Sequence, residues 1–405
     1  MQLLKSIATG LLLGSSCLVP AAANPAPWPR SPAVPAHHHS RVAPKVFIIS
    51  MFEPEAAAWW GVPEFDLLAH NITIPGASPV FPDVHCTANY DVCQLITGEG
   101  EINAAITVAS IAFSPYFDLT HTYFLIAGIA GINPKVGTIS SVTFARYAIQ
   151  VALQYEIDLR ELPDNFTTSY FPQGANAPDE YPTSIYGTEV FEVNNELRTL
   201  AASFARKANL TDSEGAQEYR SKYTGDAYTA ATKAPSVLEC DVATTDVYYS
   251  GKLLSEAFDN TTSTWTNGTG QYCTSAQEDN ATLEALMRTS LRNLTDFSRI
   301  IVMRTASNFD QPHDDESALQ HLRYAEAGGF EPSVKNLYVA GIEVVTGILN
   351  GWNSTFAAGV KPTNYIGDIF GSLGGTPDFG PGRKQALSDA GAITKRHFRR
   401  GIVIA

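Results

Sequence analysis

The chain has 405 residues, of which 44% are hydrophobic, 10% aromatic and 17% charged, and its formal net charge is −14. The apolar fraction is that of a folded protein and excludes wholesale disorder. The acidic balance excludes nucleic acid as a partner, since phosphate backbones are gripped by clustered Lys and Arg.

Residues 1–23 read as a secretory signal peptide. Lys5 supplies the charged start, Leu11, Leu12 and Leu13 an apolar stretch, and Ala21, Ala22 and Ala23 the small-residue cleavage pattern, with cleavage expected near Asn24. A secreted, extracellular or cell-wall location is therefore expected. Residues 24–43 are Pro-rich and expected to be disordered or extended, and the run His37, His38, His39 reads as part of a solvated tail. The run 45–50, bounded by Pro44 and Pro54, predicts a buried strand. A second strand is expected at 92–97, ending at Gly98 and Gly100, then a helix at 102–113 and a strand at 123–127 running into Gly128 and Gly131. Strands at 142–149 and 298–303 and helices at 316–327 and 334–349 follow. The turn-rich stretches 160–185 and 257–282 read as surface insertions. Residues 381–405 form a basic tail to which no function attaches. The alternation predicts an α/β domain. The longest apolar runs, 123–132 and 337–349, fall short of the roughly 18 residues a membrane-spanning helix needs, so no transmembrane span is expected.

Beyond the signal segment the chain keeps Cys86, Cys93, Cys240 and Cys273. In an oxidising compartment an even number should pair, and four cysteines allow three connectivities. The local pairing, Cys86–Cys93 and Cys240–Cys273, closes two short loops and is the one expected. Asn71, Asn165, Asn209, Asn260, Asn267, Asn280, Asn293 and Asn353 each begin a glycosylation sequon, a density that suits a secreted glycoprotein.

Ligands of open α/β sheets gather at the carboxyl ends of strands, and three such places stand out. Glu53 and Glu55 directly follow the first strand, although carboxylates there more often mark a helix N-terminus. Gly128 and Gly131 allow a backbone to approach a ligand, and tight packing accounts for them as well. Arg304, Ser307, Asn308 and Asp310 follow the strand at 298–303, where a plain turn is the alternative. The chain has no G-x-S-x-G elbow, H-E-x-x-H helix, P-loop or C-x-x-C. Gly98-Glu99-Gly100 lacks the third glycine of a dinucleotide fingerprint. No metal and no cofactor are expected.

Six segments in order carry a resemblance: SMFEPEA (50–56), TGEGEINAA (97–105), LIAGIAGINPKVGTISSV (125–142), CDVATTDVYYSG (240–251), SAQEDNATLEAL (275–286) and IIVMRTASNFD (300–310). Together they resemble the purine nucleoside permease family of fungi, itself similar in fold to nucleoside phosphorylases and adenosylhomocysteine-type nucleosidases. The resemblance implies one nucleoside phosphorylase-like α/β domain over 44–380, a central mixed β-sheet flanked by helices. It implies a purine nucleoside as ligand and, since relatives of the fold form oligomers, a homo-oligomer.

The implied roles are as follows. Glu55, or failing it Glu53, falls near the acid that activates water in the nucleosidases. Glu278 matches the glutamate that holds the ribose hydroxyls, with Gln277 where relatives carry Met. Tyr248 and Tyr249 fall where relatives place an aromatic under the base, and Arg304 and Ser307 match the strand-end motif. Asn308 replaces the acid that protonates the purine, and Asp310 is the nearest substitute. Ile126 and Ile129 stand where phosphorylases grip phosphate with Arg and Ser, so hydrolysis of the N-glycosidic bond, or plain binding, is expected before phosphorolysis. A glycan on Asn280 would obstruct such a pocket, so that sequon is expected to be unmodified. Three readings stand: a secreted purine nucleoside hydrolase, a non-catalytic nucleoside-binding protein assisting nucleoside uptake and transmembrane transport, and an unrelated carbohydrate-active glycoprotein.

Overall fold

A computed structural model describes residues 41–380. The signal segment, most of the Pro-rich stretch and the basic tail lie outside the described residues. Among the described residues fifteen strands and eight α-helices follow in this order. First come β1 (Val46–Ser50), α1 (Glu53–Ala57), β2 (His70–Thr73), β3 (Asp83–Cys86), β4 (Val92–Ile96), α2 (Glu101–Ala112) and β5 (Tyr123–Ile132). Then follow β6 (Val142–Ala145), β7 (Tyr147–Gln150), β8 (Tyr155–Glu156), β9 (Tyr170–Phe171), β10 (Val190–Glu192), α3 (Asn195–Ala205) and α4 (Glu214–Arg220). The last are β11 (Val237–Glu239), β12 (Asp241–Thr244), α5 (Lys252–Trp265), β13 (Tyr272–Ala276), α6 (Asp279–Ser290), β14 (Ile300–Phe309), α7 (Ala318–Tyr324), α8 (Phe330–Asn350) and β15 (Gly367–Asp368).

Thirteen strands form one mixed sheet, and β8 and β9 pair separately. At its centre β4, β1, β5 and β14 run parallel. These strands are apolar along their whole length because both faces are covered. Phe47, Ile49 and Ile126 point to one side, against Val108 and Ile111 of α2 and Leu283 and Leu286 of α6. Val46, Ile48 and Leu125 point to the other, against Leu197 and Ala201 of α3 and Leu337 and Val344 of α8. The fold is therefore α/β, helices on both faces of a large mixed sheet. Both disulfides take the local pairing, Cys86–Cys93 and Cys240–Cys273. Among the described residues no helix is long and apolar enough to cross a membrane.

Several elements differ from expectation. The strand at 123–127 continues to Ile132, and that at 300 continues through Phe309. The polar segment from Arg304 is thus strand rather than turn, because β5 and β6 offer it a ladder on both edges. The stretch 142–149 is two strands. At the break the Arg146 and Tyr147 amides donate to the Asp241 side chain, Oδ1, at the start of β12, rather than to a backbone carbonyl. Residues 257–282 are not a surface insertion. They hold most of α5, all of β13 and the start of α6, and Tyr272, Cys273 and Thr274 are buried. The helix at 316–327 shrinks to α7, whereas α8 starts at Phe330, ahead of 334, with Pro332 in its first turn, where a missing amide proton costs nothing.

Candidate functional site

A pocket opens where β5 changes neighbours. Up to the Ile49–Ile126 register β5 pairs with β1; its last residues, Gly131 and Ile132, pair with Ser275 and Thr274 of β13. Between them one edge of β5 is left without a strand, and side chains from the ends of β1, β13 and β14 converge on the gap. This is a switch point of the kind at which α/β sheets bind ligands. The cavity measures about 310 Å³, a small-molecule size. Glu55, Gly131, Tyr248, Tyr249, Glu278, Arg304, Ser307, Asn308 and Asp310 all line it, joined by Glu99, Gln277 and Ile129. Glu53, the alternative to Glu55, is exposed and off the pocket wall.

Gly128 lies beneath the pocket rather than on its wall. A Cβ there would come within 2.5 Å of Arg304 Nη1, 2.8 Å of Met51 Sδ and 2.9 Å of Glu55 Oε1. Its bareness makes room for protein groups, the packing reading of the glycine pair. Gly131 does face the cavity, and a Cβ on it would strike Ser275 Oγ.

Glu55 sits in the first turn of α1, buried, with each carboxylate oxygen already holding one backbone amide: Met51 N–H at 2.7 Å and Ile129 N–H at 2.7 Å. The Ile129 amide is available because that edge of β5 lacks a strand. Burial pushes the Glu55 carboxyl up to about 7, against the opposing pull of Arg304 and these amides. An acid poised there can take or give a proton at neutral pH. Two lone pairs remain for a ligand or water.

Glu278 stands at the start of α6 without capping it; its Oε1 instead accepts the amide of Gly100, the residue just ahead of α2, at 3.0 Å. Gly100 itself has φ +91°, a conformation that favours glycine. Glu278 Oε2 accepts from Arg304 Nη2 at 3.3 Å, and burial raises its pKa despite that cation. Arg304 is itself buried and fully engaged. Its Nη2 and Nε donate to Asp279 at 2.9 and 3.2 Å, and its Nη1 donates to the Ile129 carbonyl at 3.1 Å. The one guanidinium on the wall is therefore outnumbered by carboxylates.

At the other end of the pocket β14 carries a bulge. Ala306 pairs with Ala130 and Asn308 with Gly131, so Ser307 is the extra residue and the strand's side chains are re-aimed. Ser307 Oγ lies 3.1 Å from the Ala130 carbonyl and 2.9 Å from Asn308 Oδ1, while Asn308 Nδ2 donates to the Phe309 carbonyl. Tyr248 stands 74% exposed at the rim. Tyr249 turns inward and its hydroxyl lies 2.8 Å from that of Tyr272, which donates to Asp310 Oδ2. Burial pushes Asp310 up to about 6. Asn280 is buried, but not on the pocket wall: its amide bridges Thr244 Oγ1 and the Thr188 and Glu189 carbonyls. Ile126 is a core residue and Ile129 reaches the wall; neither supplies a charge.

Apart from Gly128, the alternative Glu53 and the cysteines, the structure thus gathers every sequence-derived site residue around one cavity. Sequence reasoning missed Asp279, Gly100 and Tyr272. Asp279 could have been found from the rule that a buried Arg needs a paired carboxylate; nothing local marks the other two. Among the described residues no group of three or more His, Cys, Asp or Glu side chains is arranged to hold a metal ion.

Residues 43–361 match the family model for purine nucleoside permease. The chain belongs to the purine nucleoside permease family. It is 46% identical over 343 residues to a purine nucleoside permease of Candida albicans, covering 83% of each chain. It is 40% identical over 318 residues to a Schizosaccharomyces pombe protein named "probable purine nucleoside permease", covering 76% of this chain and 90% of that one. Among solved structures it is similar to a 5′-methylthioadenosine/S-adenosylhomocysteine nucleosidase of Neisseria meningitidis in complex with methylthio-immucillin-A, at 15% identity over 76% of this chain and 99% of that one, TM-score 0.42. It is similar also to one from Colwellia psychrerythraea in complex with adenine, at 14% identity over 76% and 95%, TM-score 0.44. Every pocket residue, from Met51 to Phe330, falls inside the family's matched segment.

Proposed function

We propose that the protein binds a purine nucleoside in this pocket and cleaves its N-glycosidic bond with water. The observation that carries the reading is the charge arrangement: Glu55 and Glu278 line the cavity, while its Arg304 is neutralised by Asp279 and Glu278. A phosphate dianion entering here would find carboxylates and, among the described residues of the wall, no free cation, so water is the better nucleophile. The same arrangement favours a nucleoside over a nucleotide.

Glu278, its oxygens fixed by Gly100 and Arg304, accepts the vicinal hydroxyls of the ribose and offsets positive charge as the sugar becomes oxocarbenium-like. Glu55, in its carboxylate form, takes the proton of the attacking water. As water bonds to the anomeric carbon the C–N bond breaks, and the base departs toward Tyr249, Asn308 and Asp310, taking up a proton from solvent while Glu55 returns its own to solvent. The signal segment at 1–23, the sequons and the two paired disulfides support a secreted or cell-wall protein.

The second reading, a binding protein that assists nucleoside uptake, is favoured by Asn308, because an amide donates a hydrogen bond but lends no proton. Mixing the protein with adenosine, inosine or guanosine, with and without phosphate, separates the two. Base release independent of phosphate is expected. Release that requires phosphate refutes the charge argument, and binding without release leaves the uptake reading.

A further inference from the structure

Three tyrosine and carboxylate oxygens at the base end of the pocket form a hydrogen-bonded chain, which the mechanism above uses only as the end toward which the base departs. Tyr249 lines the cavity, its hydroxyl lies 2.8 Å from that of Tyr272, and the Tyr272 hydroxyl donates to Asp310 Oδ2. Tyr272 is 1% and Asp310 2% exposed. Asn308, by contrast, is solvent-exposed; its oxygen accepts from Ser307 and one of its two N–H groups is turned to the Phe309 carbonyl.

Each phenol owns a single proton, and that fixes the direction of the chain. With Asp310 ionised, Tyr272 donates to it, and the single Tyr249 proton goes to the Tyr272 oxygen or to Ser275 beside it, so none is left for the pocket. With Asp310 protonated, the chain reverses: the carboxyl donates to Tyr272, Tyr272 donates to Tyr249, and Tyr249 donates into the cavity. We propose that the Tyr249–Tyr272–Asp310 chain presents the hydrogen-bond donor that reads a ring-nitrogen acceptor of the purine, and that this donor exists only while Asp310 carries a proton. The acceptor assigned is N7, which adenine and guanine share. Tyr249 touches the ligand; Tyr272 and Asp310 are positioning residues that act through it.

The environment of Asp310 suits the switch. Burial raises its pKa, and the titratable groups that face it are the phenols of Tyr249, Tyr272, Tyr223 and Tyr228, each shifted above its ordinary value and neutral across the range concerned. Hydrogen bonds to Tyr272, Ser255 and Gln311 oppose the shift without cancelling it. Ser255 and Gln311 beside it do not titrate. Glu55 and Glu278, the other pocket acids that burial shifts upward, act equally whichever atom occupies position 7 of the base.

The inference rests on the purine nucleoside reading but not on hydrolysis. Its test uses 9-methyladenine and 9-methyl-7-deazaadenine, ligands with no sugar to cleave and differing only at position 7, with binding measured by calorimetry from pH 5.5 to 8. For the intact protein, 9-methyladenine is expected to bind about tenfold more tightly at pH 5.5 than at pH 7.5, the scale of one gained hydrogen bond. The 7-deaza compound should change less than twofold. In Asp310→Asn the amide donates to Tyr272 at every pH, so the difference in pH response between the two ligands disappears. Tyr272→Phe removes it by cutting the chain, and serves where the Asp310→Asn variant fails to fold. Equal pH responses of the two ligands in the intact protein, or an undiminished difference in Tyr272→Phe, overturn the relay while leaving purine recognition standing. Binding of neither ligand at any pH overturns both.

Discussion

Glu55 links the pocket to the stability of the whole fold, and Glu55→Gln exposes the link. In the unfolded chain this carboxyl releases its proton near its ordinary value of 4.5, whereas in the folded protein burial holds the proton until about 7. Between those two pH values the folded state binds one proton more than the unfolded state, so its stability falls as pH rises through the interval. The difference of 2.5 in pKa corresponds to about 3 kcal/mol, present in full below pH 4.5 and lost by about pH 8. Glutamine removes that slope. It also adds a fixed penalty, because its amide group must face one of the two backbone donors, Met51 N–H or Ile129 N–H, that now point at carboxylate oxygens. Leaving one of them unmatched costs about 1–3 kcal/mol at every pH. Urea unfolding monitored by tryptophan fluorescence at half-unit pH steps gives both curves. Glu101 and Glu192, raised to about 7, and Asp310, raised to about 6, steepen the slope of both proteins alike, so only the difference between the curves reports Glu55. The variant is expected to be clearly weaker at pH 5 and close to the parent at pH 8. Curves that stay parallel from pH 5 to 8 would refute the claim that Glu55 holds its proton in the folded protein.

Three further outcomes are expected. Arg304→Met leaves Asp279 and Glu278 buried without their cation and should cost about 3–5 kcal/mol in urea unfolding, a loss under about 1 kcal/mol contradicting the pairing. Gly128→Ala places a methyl against Arg304, Met51 and Glu55, and should weaken nucleoside binding at least about tenfold in calorimetry while circular dichroism stays unchanged; unaltered affinity means those side chains yield freely. Replacing both Cys240 and Cys273 by Ser opens a loop spanning a sequence separation of 33 and should cost about 3–4 kcal/mol, against about 2 kcal/mol for Cys86 and Cys93, whose separation is 7. Equal losses for the two pairs, read from urea midpoints, would count against the loop-closure account.

How much of this was legible in the residues depended on whether a signal was local. The central strands β1, β4 and β5 announce themselves as unbroken apolar runs, since both sheet faces are covered. β12 and β13 carry Asp241, Thr244, Thr274 and Ser275, and are strands because neighbours complete their ladders, which no window of sequence displays. α5 was masked by its threonines and a sequon. In the folded chain Thr261 returns its hydroxyl to the carbonyl of Ala257, so the polar groups satisfy themselves while the helix buries Phe258 and Trp265. In the site, Glu55, Glu278, Asn308 and Asp310 were reached through family resemblance together with their places after strands. What eluded reading was contact at long range. Glu278 meets the Gly100 amide 178 residues away, and Tyr272 meets Asp310 across 38. The Asn280 sequon was expected to be unmodified for the sake of the pocket; its buried amide is instead a brace for residues 188 and 189, a reason visible only in three dimensions.

The engagement of Arg304 by the protein's own carboxylates bears on the direction of the chemistry. Phosphorolysis conserves the energy of the glycosidic bond in a sugar phosphate, runs close to equilibrium, and answers to the supply of inorganic phosphate. An enzyme that cannot seat that anion discards the bond energy to solvent, so its reaction runs one way. With such a hydrolase outside the cell, salvage of free base proceeds regardless of mineral nutrition and does not reverse as product accumulates.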